Sequence, residues 1–306
     1  MSDTRAPRPT DLVALITFDE EVRENQAVTR DRVGHHGDAP RPLAAAIEQW
    51  LHLGRRTWIT VAGREIRGIA TARDLSARTA WEIDTLFDAP GSDESVILDL
   101  LRQAGQAAHE ALATHLVLRA PAGSTAAAEA PRAGFRPVVA ERLWSGAIDR
   151  PTSAEATVIV RGAEDADLMG RFQLYCRAMP GAAREAMAMT VEEWQATQEA
   201  RWLDRSGETL VAERQGRIVG AVRIARTGQF SLSVDPDAPA AGDRLLDVLR
   251  EHHAAPFGLV PRGTAAEDAV RRAGLVSGDE FALFCLRISQ PVREEAFARA
   301  GVVIPG

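Results

Sequence analysis

The sequence predicts an α+β fold built twice, with a mixed, twisted sheet flanked by helices in each of two tandem domains. Three observations predict it. A hydrophobic share of 45% in 306 residues is ample for two cores of ordinary size. A hairpin motif ending in Gly68 recurs at Gly220, about one domain's length downstream. A helix-closing Arg-Ala-Gly motif then recurs in the same order, at 132–134 and 272–274.

Residues 1–21 carry Asp3, Asp11, Asp19, Glu20 and Glu21 around a short apolar stretch, the opposite of a basic-then-apolar secretory leader. No apolar run approaches the roughly 18–20 residues that span a bilayer. The expected location is the cytoplasm. The first hairpin reads T-W-I-T-V-A-G-R-E-I-R-G over 57–68, and the second reads T-L-V-A-E-R-Q-G-R-I-V-G over 209–220. Each is a β-rich run, a polar turn with Gly and Arg, and a second β run. In the strand that follows, 80–87 alternates, so Trp81, Ile83 and Thr85 are expected on one face and Glu82, Asp84 and Leu86 on the other. Its counterpart places Phe230, Leu232 and Val234 opposite Ser231 and Ser233.

Helices are expected over about 94–113 and 242–253. A later helix in each copy closes on Gly134 or Gly274, at the left-handed position after a helix end. The last strands run on to Leu143-Trp144 and Leu283-Phe284. Residues 146–155, with Pro151 and a Thr-Ser pair, form the expected linker between domains at 1–148 and 154–306. The tail carries Pro291, a helix-like 294–300 and an apolar Val302-Val303-Ile304.

Composition removes several chemistries. All 36 basic residues are Arg, so a phosphate-loop Lys, a Schiff-base amine and a Ser-x-x-Lys pair are absent. A net charge of −7 argues against nucleic acid or a membrane surface as partner. Cys176 and Cys285 lack metal-site spacing and read as small buried hydrophobes. His109-Glu110 begins like a zinc motif, but position 113 is Ala and His115 falls at the wrong spacing, so no metal is expected. The adjacent pairs His35-His36 and His252-His253 point apart and read as surface residues. Trp50, Trp58, Trp194 and Trp202 read as packing residues. Neither a Gly-x-Ser-x-Gly elbow nor a dinucleotide Gly-x-Gly-x-x-Gly occurs.

The hairpin into Gly68 or Gly220, the strand-loop-helix unit after it and the Ala-Gly-Phe or Ala-Gly-Leu near the end resemble the GNAT superfamily of acyl-CoA N-acyltransferases, in tandem. Tyr175-Cys-Arg-Ala-Met-Pro180 and Thr190-Val-Glu-Glu-Trp194 resemble the substrate-side helices of tandem members. The resemblance implies transfer of an acetyl or other acyl group from acyl-CoA to an amine on a small molecule. It implies a diphosphate held by backbone N–H groups at a helix N-terminus. The second copy offers Val234-Asp-Pro236, then Gly242, Asp243 and Arg244, in a loop shorter than the family's and without its Arg or Gln. The first copy offers Asp93 and Glu94 where phosphates would sit. Ala130 and Val270 stand where the family often has its Tyr acid. Glu82 and Asp84 are the candidate bases, either aimed into the cleft or paired with Arg. Two alternatives stay open: a degenerate binding or scaffold protein, and a transferase that draws on a carrier-protein or aminoacyl-tRNA donor.

Overall fold

The structure is a computed structural model that describes residues 3–20, 24–33, 41–51, 54–93, 95–149, 157–198 and 207–289. The first half runs β1 (Asp3–Arg5), α1 (Leu12–Glu20), α2 (Pro42–Trp50), β2 (Arg56–Ala62), β3 (Glu65–Asp74), β4 (Ala80–Asp88), α3 (Ser95–Glu110), β5 (His115–Pro121), α4 (Thr125–Glu129) and β6 (Arg136–Ser145). The second runs β7 (Ile159–Gly162), α5 (Leu168–Ala178), α6 (Gly181–Met187), α7 (Val191–Ala196), β8 (Glu208–Arg214), β9 (Arg217–Ile224), β10 (Gln229–Val234), α8 (Ala240–His252), β11 (Phe257–Pro261), α9 (Ala265–Arg272) and β12 (Val276–Arg287). Among the described residues the two orders repeat, with one more helix before the hairpin in the second. None of the described helices is long and apolar enough to cross a membrane. The expected linker lies largely outside the described residues, as do the pair His35-His36, Glu94, Trp202 and the tail from 290.

The repeated glycines have physical reasons. A Cβ on Gly68 would lie 2.5 Å from Val96 Cγ1 and 2.9 Å from both Leu100 Cδ1 and the Phe87 carbonyl. One on Gly220 would lie 2.9 Å from Leu245 Cδ1 and 3.1 Å from Ala241 Cβ. In both halves the hairpin glycine lets the long helix, α3 or α8, settle on the sheet. Gly134 and Gly274 have φ of 93° and 90°, which only glycine adopts without strain, and each ends its helix as expected. The β8–β9 turn is Gln215-Gly216, with φ of 55° and 74°, the backbone of a type I′ turn.

The twelve strands form one sheet in the order β1-β2-β3-β4-β5-β12-β6-β11-β10-β9-β8-β7. Each half's last strand crosses over: β12 pairs antiparallel with β5 from Phe281–Pro121 to Arg287–His115, and β6 pairs with β11 from Phe257–Ser145 to Pro261–Glu141. The halves therefore complete one another's sheets. Buried side chains gather under α3 (Trp81, Ile83, Leu100), under α1 and α2 (Leu15, Ile59, Ile69), and under α8 and α9 (Phe230, Leu245, Val270). Cys285 is buried and Cys176 half-buried, both as free thiols, and burial pushes the Cys285 thiol up to about 12.

One expected face is corrected. The register from Thr71–Thr85 to Ala72–Ile83 leaves Asp84 as an extra residue, a bulge. The bulge flips the strand, so Leu86 shares the α3 side with Trp81 and Ile83. In β10 the ladder from Phe230–Ile224 to Val234–Gly220 has no such break, and Ser231 and Ser233 stay opposite Phe230 and Leu232.

Candidate active site

Parallel strands that diverge leave an unpaired edge, and both halves have one. Pairing of β4 with β5 ends at Ile83–Leu118, and pairing of β10 with β11 covers only Gln229–Phe257 and Phe230–Gly258. The two gaps are treated differently.

In the first half the chain fills its own gap. Gln26 N–H donates to the Leu86 carbonyl (2.9 Å), the Asn25 side-chain oxygen accepts from Leu86 N–H (2.8 Å), and Val28 N–H donates to the Arg119 carbonyl (2.8 Å). The Gln26 amide donates to Asp88 and its oxygen accepts from Ala126 N–H, each at 2.8 Å. Residues 25–28 thus serve as an inserted strand. Arginines from the following residues and from the neighbouring strands reach Glu82 and Asp84, which are 1% and 0% exposed. Arg73 donates twice to Glu82 and pairs with Asp31. Thr71 donates to Asp84 at 2.5 Å, and Arg55 and Arg32 lie 3.0 and 3.6 Å from it. Despite the opposing cost of burial, Arg73 holds the Asp31 carboxyl below its usual range. Of the two orientations left open for Glu82 and Asp84, the structure has the Arg-paired one.

In the second half the gap opens onto a cavity of about 190 Å³. Its floor is Ser231, Leu232 and Ser233 of β10 with Leu259 of β11, and its roof is Arg171, Leu174 and Tyr175 of α5 with Trp194 of α7. Positions 171, 174 and 175 lie one turn apart on a single helix face. The exchanged strand β6 adds Val138, Val139 and Glu141, so the first half builds part of this wall. Glu141 is 2% exposed and accepts from Arg30 (2.8 Å) and Arg119 (2.6 Å). Tyr175 stacks near Phe172 and Trp194 at centroid distances of 6.2 Å, and its hydroxyl is buried without a hydrogen-bond partner among the described residues. Burial raises its pKa far above the usual phenol value, which keeps the proton on. Sequence placed Tyr175 and Trp194 on substrate-side helices but gave no sign of Glu141 or Arg171 as lining residues. A larger cleft of about 840 Å³ beside α1 has its Arg5 and Arg67 already paired, with Asp11 and Glu65.

The expected diphosphate cradle at the start of α8 is mostly closed by its own bonds. Asp237 N–H donates to Asp235 Oδ1, Ala238 N–H to the Asp235 carbonyl, Ala241 N–H to the Ala238 carbonyl and Gly242 N–H to the Pro239 carbonyl. Val234 is buried beneath α8, and Gly242 packs there too, where a Cβ would come 2.7 Å from Ala269 Cβ and 3.0 Å from Val234 Cγ2. Asp243 pairs with Arg272 at 2.9 Å. Arg244 alone of the four has a half-buried side chain with neither hydrogen bond nor ion pair among the described residues. The strand edge fits the thioester arm of a coenzyme A; the loop offers its diphosphate little beyond Arg244.

No family model matches the sequence, and no curated protein matches it. Solved structures do. A GCN5-related N-acetyltransferase from Sphaerobacter thermophilus is 21% identical over 95% of this chain and 97% of its own, with a TM-score of 0.50. The fold is that of the GCN5-related N-acetyltransferases. A second such structure, from Anabaena variabilis, is 11% identical over 94% of this chain and 73% of its own, at a TM-score of 0.51. A conserved protein of unknown function from Staphylococcus epidermidis is 14% identical over 72% and 91%, at 0.52. In GNAT terms the chain carries the fold twice, as expected, with last strands exchanged. Among the described residues no group of three or more His, Cys, Asp or Glu could hold a metal.

Proposed function

We propose that this protein is a GNAT acyltransferase whose second half moves an acetyl or other acyl group from a CoA thioester to the amine of a small molecule. The observation that carries the reading is the contrast between the gaps: residues 25–28 fill the first, while the second opens onto a cavity. The free edge of β10 supplies backbone groups for the thioester arm, and Arg244 meets a phosphate. The acceptor nitrogen attacks the thioester carbonyl, the C–N bond forms, the C–S bond breaks, and the sulfur leaves as a thiolate that takes a proton from solvent. Glu141, the carboxylate on the cavity wall, receives the proton that the amine loses. We assign Glu82 and Asp84 to holding the inserted segment in place rather than to catalysis. Residues 1–148 and 154–306 are the two GNAT-like domains in this reading, and the cytoplasm is its location.

The test is calorimetry with acetyl-CoA and longer thioesters. One binding site per chain is expected, abolished by Ser231→Trp, which fills the gap, and kept in Gln26→Ala. Folded protein that gives no heat at millimolar thioester defeats the reading. The satisfied N–H groups at the start of α8 favour a second reading, in which the same arm arrives on a carrier protein. A loaded carrier protein that supports transfer where acetyl-CoA does not would select it.

A further inference from the structure

A protein with a net charge of −7 lines this small cavity with three guanidiniums, Arg30, Arg171 and Arg223, against one carboxylate, Glu141. Glu141 is already shared between Arg30 and Arg119. Arg171 is different. Its guanidinium lies 5.7 Å from the centre of the Trp194 ring and makes neither hydrogen bond nor ion pair among the described residues. Asp167, the acid one turn before it, is held by both terminal nitrogens of Arg161, at 2.6 and 2.8 Å. A partly desolvated cation that no acid touches is costly, and burial pulls the Arg171 pKa below its usual value, outweighing the charge of Asp167. One turn along the same face, the Tyr175 hydroxyl is buried in the same cavity, protonated, and without an acceptor among the described residues. A fixed cation and an unused O–H donor on one helix face match an anion, and a carboxylate offers an oxygen to each.

We infer that Arg171 and Tyr175 anchor a carboxylate, so that the acceptor is an amine that also carries a carboxylate, of amino-acid size. The inference rests on the acyl-transfer reading for the amine alone; the anchor itself is tested by binding. The anionic group sits against α5, the rest of the acceptor lies along Leu174, Met179 and Trp194, and the amine faces Ser231 and Glu141. The net charge of −7 by itself suits a cationic or neutral acceptor; the arginines of the cavity reverse that sign locally.

Calorimetry on the full chain uses pairs that differ by a carboxylate alone: L-phenylalanine with 2-phenylethylamine, and L-alanine with ethylamine. In at least one pair the carboxylated member is expected to bind about tenfold or more tightly. Arg171→Gln is expected to erase that preference and Arg171→Lys to restore part of it. Tyr175→Phe is expected to weaken the preferred ligand severalfold without lowering the melting temperature, because the hydroxyl has no protein partner to lose. Equal binding within every pair, no binding by any member, or a preference that survives Arg171→Gln overturns the inference. A carboxylate preference in a protein that gives no heat with any thioester defeats the acyl-transfer reading and leaves the anchor standing.

Discussion

The gap between β4 and β5 and the gap between β10 and β11 are copies of one feature with opposite fates. In the first, residues 25–28 supply the missing hydrogen bonds and a knot of charge closes the face: Asp31, Glu82, Asp84 and Glu141 against Arg30, Arg32, Arg55, Arg73 and Arg119. In the second, the equivalent strand carries Ser231 and Ser233, which leave room. Duplication supplies two slots, and the chain spends its own backbone on one of them. The segment then runs on into the other half, where the Arg30 carbonyl accepts from Gln229 and the Arg30 side chain donates to the Leu259 carbonyl (3.2 Å). Filling one slot therefore also braces the open one.

The largest effect is expected at the centre of that charge knot. Arg119 is fully buried, donates to Glu141 at 2.6 Å and lies 3.7 Å from Glu82. Arg119→Leu leaves two nearly fully buried acids each short of a partner, and the expected cost is about 3–5 kcal/mol in urea unfolding. A loss below ~1 kcal/mol would mean that the knot is wetter and looser than its burial says.

The glycine pair compares the halves directly. Gly68→Ala pushes a methyl into Val96, Leu100 and the Phe87 carbonyl, whereas Gly220→Ala meets Leu245 Cδ1 at 2.9 Å, which can turn aside, and the Cβ atoms of Ala241 and Ala212 at 3.1 and 3.3 Å. Overpacking of this kind costs about 1–3 kcal/mol, and Gly68 is expected at the upper end. Equal losses would mean that α3 rides up as easily as α8.

These glycines were legible in the sequence because their reason is local: a hairpin strand must let a helix close on it, and both copies show the same Ile-x-Gly. Gly134 and Gly274 were legible for the same reason. Residues 24–28 were not, since an inserted strand with partners on both sides has no periodicity of its own and Asn25 and Gln26 read as loop. The bulge at Asp84 was equally silent, and it cost the expected face of Leu86. The strand exchange could not be read either, because the pattern of β6 says which face is buried and not which strand lies beside it. The candidate site suffered most. Val234 and Gly242 were chosen by motif and lie packed at the underside of α8, whereas Glu141 reaches the cavity only through the exchange.

A subtler probe of the filled gap is Asn25→Ala. It removes the acceptor for Leu86 N–H, and an orphaned backbone donor costs roughly 1–2 kcal/mol. Thioester stoichiometry is expected to stay at one per chain. Two sites in this variant would show that the first slot still binds once its filler loosens, and that the halves differ by occupancy rather than by build.

The smallest effect concerns pH. His115 starts β5, is 1% exposed, touches Thr114 Oγ1 through Nδ1 (2.9 Å) and faces the Met187 backbone, which favours the charged ring. Burial lowers its pKa, Arg287 of β12 opposes the charged form, and Glu193 of α7 favours it too weakly to compensate. A lowered folded-state value means that the folded protein prefers the neutral ring. Its contribution is therefore complete above the ordinary histidine value of about 6.5 and is lost as pH falls below it toward the folded-state value. Asp31, held below its usual range, acts lower still and loses its contribution only as pH falls beneath about 4. Urea unfolding of wild type and His115→Phe between about pH 7 and pH 5 separates the two. The wild type is expected to lose stability over that window and the variant to lose less of it. Parallel curves would mean that His115 does not carry the loss in this range.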